Sequence, residues 1–77
     1  MALEQVRSET AGSIWKIVVA VDDLVQPGDV IMLLELMKME IPIVATCAGR
    51  IAEIAVTESM AISANQLVAT IERSDPQ

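Results

Sequence analysis

The sequence predicts an all-β domain, a sandwich or flattened barrel organised about an internal pseudo-two-fold axis. Strand spacing of the apolar residues, closely spaced turn formers and an internal repeat together lead to that reading. Residues 11–35 align with 48–72 at a constant offset of 37, without a gap over 25 positions. Six of those pairs are identical: Ala11/Ala48, Gly12/Gly49, Ile14/Ile51, Ile17/Ile54, Val19/Val56 and Glu35/Glu72. Each copy is too short for a helical repeat, and two copies are too few for a solenoid. Two related β units in 77 residues are expected to cover each other's apolar faces.

Along the first unit, Ile17, Val19 and Val21 alternate with Val18 and Ala20. Asp22-Asp23 then breaks the run, a short apolar segment surrounds Val25, and Pro27-Gly28-Asp29 precedes a longer run from Val30 to Leu36. Strands joined by tight turns explain this order. Ile14 and Ile51 fall out of phase with Ile17 and Ile54, which predicts a bulge or strand break just after each. The repeat sets Gly28 against Asn65 and Asp22 against Ser59. Glycine is replaced by the side chain that best tolerates left-handed backbone, so both copies keep their turns. The polar ends read as a flexible segment over 1–8 and a tail over 74–77, bracketing a domain over 9–73.

Composition narrows the function. Apolar residues make up 53% of the chain but aromatics only 1%, so the core is aliphatic and no stacking platform for bases exists. Without histidine, and with Cys47 as the lone cysteine, the chain has no His-based catalysis, His/Cys metal site or internal disulfide. Cys47 reads as a small buried apolar residue in a reducing compartment. The net charge of −6, with scattered basic residues, argues against a nucleic-acid partner. No apolar run reaches the ~18 residues of a membrane span, and the start lacks signal-peptide order. A cytoplasmic protein is expected. The acidic residues show no paired spacing, and a domain of this size is expected to offer no sizeable cleft, so a catalytic site is not predicted.

One segment breaks the local rules. Val30 to Val44 reads as two strands reversing at Met37-Lys38, which sets Leu36 opposite Met39, Glu35 opposite Glu40 and Leu34 opposite Ile41. Tight hairpins favour Asn-Gly or Asp-Gly at the reversal, and like charges facing each other are unfavourable. The competing reading turns Met37 and Met39 into the core and leaves Lys38 an ordinary surface lysine. Violations of local preference concentrate at functional sites, however.

The string Glu35-Leu36-Met37-Lys38-Met39, at the junction of two homologous β units, resembles the biotin attachment motif of the biotinyl/lipoyl domain family, usually Glu-(Ala/Ser/Val)-Met-Lys-Met. Ala11 to Ile17, Val25 to Asp29 and Ala45 to Ile54 extend the likeness over about residues 9–72. The resemblance implies a flattened barrel of two four-stranded antiparallel sheets. It implies that Lys38 carries covalent biotin at an exposed hairpin tip, with Met37, Met39 and Glu35 as the recognition flank. The implied partners are a biotin protein ligase, a biotin carboxylase and a carboxyltransferase, and the chain itself is a carrier rather than an enzyme. Lipoate is the alternative cofactor, alone or with biotin in a dual biotin/lipoyl acceptor, although lipoyl domains commonly carry Asp-Lys-Ala or a related acidic-Lys sequence at the tip. An unmodified interaction module of the same fold is the second alternative. Departures from the family pattern are Leu36, at a position usually small or β-branched, Asp22, Ser59 and Asn65 in place of glycine, and Met60 in place of an acid.

Overall fold

A computed structural model describes residues 2–74. Its strands are β1 (Leu3–Arg7), β2 (Gly12–Ile17), β3 (Leu24–Val25), β4 (Val30–Leu36), β5 (Met39–Val44), β6 (Gly49–Ile54), β7 (Ala61–Ile62) and β8 (Leu67–Arg73). They form two four-stranded antiparallel sheets, ordered β1-β8-β6-β3 and β5-β4-β2-β7. Shifting the bounds of β2, β3 and β4 by 37 positions gives those of β6, β7 and β8. The same shift carries β1 onto residues 40–44 of β5, so the duplication reaches further than its sequence identity.

The two halves interlock instead of stacking face to face. Each sheet takes two strands from each half, so neither half has a complete sheet of its own. The reason is the long β4–β5 hairpin, which carries the chain along one sheet while β6 and β8 pair in the other.

Bulges follow the same symmetry. Register slips between Ile14 and Lys16 and between Ile51 and Glu53, making Trp15 and Ala52 the extra residues at the two breaks in apolar phase. A second related pair of shifts lies at Ile31 in β4, against β5, and at Val68 in β8, against β1. Turns repeat as well: Asp22 and Ser59 have φ of 81° and 73°, and Gly28 and Asn65 have 90° and 66°. The Asp29 carboxylate accepts from the Gln26 amide at 2.9 Å, and Gln66 does the same for Ser63 at 2.8 Å. The turns thus close with different side chains performing one task.

The core consists largely of repeat-related pairs: Val6 with Ile43, Ile14 with Ile51, Val25 with Ile62, Ile31 with Val68, and Leu34 with Ile71. Met32 pairs with Ala69, which sets a large side chain against a small one across the pseudo-axis. This aliphatic interior fits the near-absence of aromatics.

The segment expected to be a flexible N-terminus, 1–8, instead contains β1, paired along its length with β8. Val6 is buried, and Ser8 is buried with its hydroxyl donating to the Ser63 carbonyl at 2.8 Å. Ser8 exchanges backbone hydrogen bonds with Asn65 and Gln66, as Ala45 does with Gly28 and Asp29. The expected tail over 74–77 lies outside the described residues except for Ser74.

Gly12 and Gly49 are identical in both copies for a steric reason. A Cβ at Gly12 would approach the Glu35 carbonyl oxygen to 2.7 Å, and one at Gly49 would approach that of Glu72 to 2.2 Å. Both obstacles are neighbouring backbone, which cannot swing aside as a flexible side chain can. Gly12→Ala is expected to destabilise the domain by about 1–3 kcal/mol. Chemical denaturation of the variant against the wild type checks this, and an unchanged midpoint contradicts the close-approach explanation.

Candidate functional site: the Met37–Lys38 hairpin

β4 is the strand on which the site rests. It pairs with β2 on one side and β5 on the other, and its Ile31, Met32 and Leu34 are fully buried. A one-residue slip would reverse the faces, so this burial fixes the hairpin register. Leu34 opposes Ile41, Glu35 opposes Glu40, and Leu36 opposes Met39, as the sequence predicts.

Two residues are left to close the turn. Met37 has φ 54° and Lys38 φ 66°, the left-handed pair that defines a type I′ hairpin loop. Neither residue type favours that backbone, and the conformation costs roughly 1–2 kcal/mol per L-residue. The well-anchored strands on either side hold it in place.

The competing placement of the methionines in the core is not what the structure has. Met37 is 86% exposed and Met39 64% exposed. Lys38 is exposed and, among the described residues, makes no hydrogen bond or ion pair. Glu35 and Glu40 are exposed on the opposite side of the hairpin ribbon from the Leu36–Met39 pair. The four predicted site residues, Glu35, Met37, Lys38 and Met39, therefore cluster at one projecting end.

The repeat gives Glu35 an internal comparison. Its counterpart Glu72 sits beside Arg50, whose Nε donates to Glu72 at 3.1 Å and whose terminal nitrogens bridge Glu72 and Asp22. Those carboxylates hold the guanidinium above its already high ordinary pKa. In the other half, Ser13 occupies Arg50's position opposite Glu35 and is too short to neutralise it. The charge pairing is thus dropped beside the hairpin.

A groove of about 530 Å³, lined by Gln5, Arg7, Ile41, Pro42, Val44 and Thr46 among others, runs between β1 and β5. This corrects the expectation of no sizeable cleft. β1 and β5 are edges of different sheets that do not pair, so the seam between them stays open. Sequence reasoning missed it because it missed β1. Cys47 is half-buried against the core, and burial, followed by the Glu4 charge, pushes its thiol above the ordinary range.

The structure is thus a flattened eight-stranded barrel with an exposed lysine on a two-residue tip. The family model described as "Biotin-requiring enzyme", for the biotin/lipoyl domain, matches residues 4–71. The chain belongs to the biotin/lipoyl attachment domain family. It is 43% identical over 68 residues to the biotinylated protein TB7.3 homolog of Mycobacterium leprae, covering 88% of this chain and 96% of that one. It is 44% identical over 46 residues to the biotin/lipoyl attachment protein of Bacillus subtilis, covering 60% of this chain and 63% of that protein. Among solved structures, the Kluyveromyces lactis urea carboxylase superposes with a TM-score of 0.88 at 36% identity. That match takes in 94% of this chain and only 6% of the carboxylase chain. A single-chain, multi-domain long-chain acyl-CoA carboxylase shares the fold, with a TM-score of 0.87 at 22% identity, over 95% of this chain and 7% of its own.

Replacing the loop by Asn-Gly, through Met37→Asn with Lys38→Gly, is expected to raise stability by about 1 kcal/mol, because both new residues accept left-handed backbone. Equilibrium denaturation measures the gain. A loss of stability would show that the native side chains contribute packing at the tip.

Proposed function

We propose that this chain is a biotin carrier in which Lys38 is biotinylated by a biotin protein ligase. The biotinylated arm then carries a carboxyl group between a biotin carboxylase and a carboxyltransferase. The observation carrying this reading is the exposed, unpaired Lys38 amine at a left-handed two-residue tip, between two exposed methionines. Family membership and the biotinylated mycobacterial relative support it.

What the chain's own residues do is present and position. The turn holds the Lys38 backbone at the end of a fixed ribbon, while the four-methylene side chain lets Nζ reach into a ligase active site. There the neutral amine attacks an activated acyl carbonyl, forming the C–N bond as the bond from the carbonyl carbon to its leaving group breaks. Among the described residues no carboxylate is hydrogen-bonded to the amine, Glu35 and Glu40 lying on the other side of the ribbon, so that proton passes to the ligase. Once attached, biotin supplies the ring nitrogen that accepts and releases the carboxyl group. The barrel performs no bond chemistry of its own.

Lipoate is the second reading, favoured by the name of the Bacillus subtilis relative. Both groups attach through the same amide to the same lysine. An unmodified interaction module remains the third.

Intact mass separates the three. Wild type and Lys38→Arg are each co-expressed with a biotin protein ligase and supplied with biotin and lipoate. A single biotin increment present in the wild type and absent from the variant is expected. A lipoyl increment at the same residue moves the protein to lipoate chemistry. An unmodified wild type, with the ligase active on a control carrier, contradicts the biotin reading for that ligase and makes the interaction module the leading one.

A further inference from the structure

Methionine usually fills irregular gaps in protein cores, and Met32 does so here at 0% exposure. Met37 and Met39 are the most exposed methionines among the described residues, and Met60, at 37%, is the next. Their thioethers stand on either side of Lys38, outside the packed interior. We propose that Met37 and Met39 form a second modification site, for oxidants of the hydroperoxide class, whose sulfoxidation reversibly closes the acceptor hairpin to the ligase; this rests on the acceptor role proposed for Lys38.

The chemistry needs one hydroperoxide per sulfur. The thioether lone pair attacks the terminal peroxide oxygen, the O–O bond breaks and an S–O bond forms. Sulfur loses two electrons, and the remaining oxygen takes up the proton released from the transferred one and leaves as an alcohol, or as water when the oxidant is hydrogen peroxide. Methionine sulfoxide reductases reverse the change with thiol reductant, returning the oxygen as water.

The consequence follows from where the sulfurs sit. An enzyme that reaches Nζ must cover the adjoining methionine surfaces, which are apolar when reduced. A sulfoxide puts a strong acceptor there, and burying it without a donor is costly. Because neither side chain is part of the core cluster, oxidation leaves the barrel folded. Oxidation of Met32 would act differently, since a polar sulfur inside the core weakens the fold itself.

Limited hydrogen peroxide treatment, followed by peptide mass mapping and timed labelling with biotin and a biotin protein ligase, tests the inference. Met37 and Met39 are expected to gain one oxygen each before Met60 and well before Met32. Labelling is expected to slow roughly tenfold, with the melting temperature unchanged and the rate restored by reductase treatment. The variant carrying Met37→Leu and Met39→Leu, compared with itself before and after peroxide, is expected to show no change whatever its starting rate. Earlier oxidation of Met60 or Met32, or an unchanged labelling rate after tip oxidation, overturns the inference while leaving the acceptor role standing. Failure of the unoxidised wild type to label overturns both.

Discussion

Two L-residues held in left-handed backbone at the end of a hairpin set the terms for the rest of this structure. Met37 and Lys38 each sit where most side chains crowd their own carbonyl. An isolated hairpin with this loop has little reason to close. The cost is met by what lies behind the loop: β4 pinned between β2 and β5, and Ile31, Met32 and Leu34 buried against the opposing sheet. A lysine on such a loop has a fixed address and a free amine, which is what an enzyme that acylates one lysine requires.

The interlocked duplication makes that anchoring available in a short chain. Each sheet takes strands from both halves, so the halves cannot separate without breaking both sheets. Related positions share their tasks, as the pairs Gly12/Gly49, Trp15/Ala52 and Gly28/Asn65 illustrate. The symmetry fails where the halves have different work to do. Arg50 ties Glu72 and Asp22 together on one side, while Glu35 beside the hairpin faces Ser13 and keeps its charge exposed.

Much of this was legible in the residues. The offset of 37 located six of the eight strands, the phase break after Ile14 and Ile51 marked one of the two pairs of bulges, and the run from Val30 to Val44 set the hairpin register. β1 was not legible, because its inward positions Glu4 and Val6, and Ser8 just after it, stand where the repeat has Ile41, Ile43 and Ala45. A single apolar residue in three leaves no alternation to read, and Val6 is buried only because β8 offers it a partner edge. The exchange of strands between sheets and the seam between β1 and β5 were hidden with it. The site residues were legible from the conflict between Met-Lys and tight-turn chemistry, sharpened by the resemblance of the surrounding motif.

In the carrier function proposed above, the barrel, and not the motif string alone, suits Lys38 to be the acceptor. The direct measurement is the rate at which a biotin protein ligase labels the folded chain, compared with a synthetic peptide spanning residues 30–44. Labelling of the folded chain at least about tenfold faster is predicted, since oriented presentation removes the ordering cost from the ligase's encounter. Equal rates for chain and peptide would contradict it, because the motif would then be read without its scaffold.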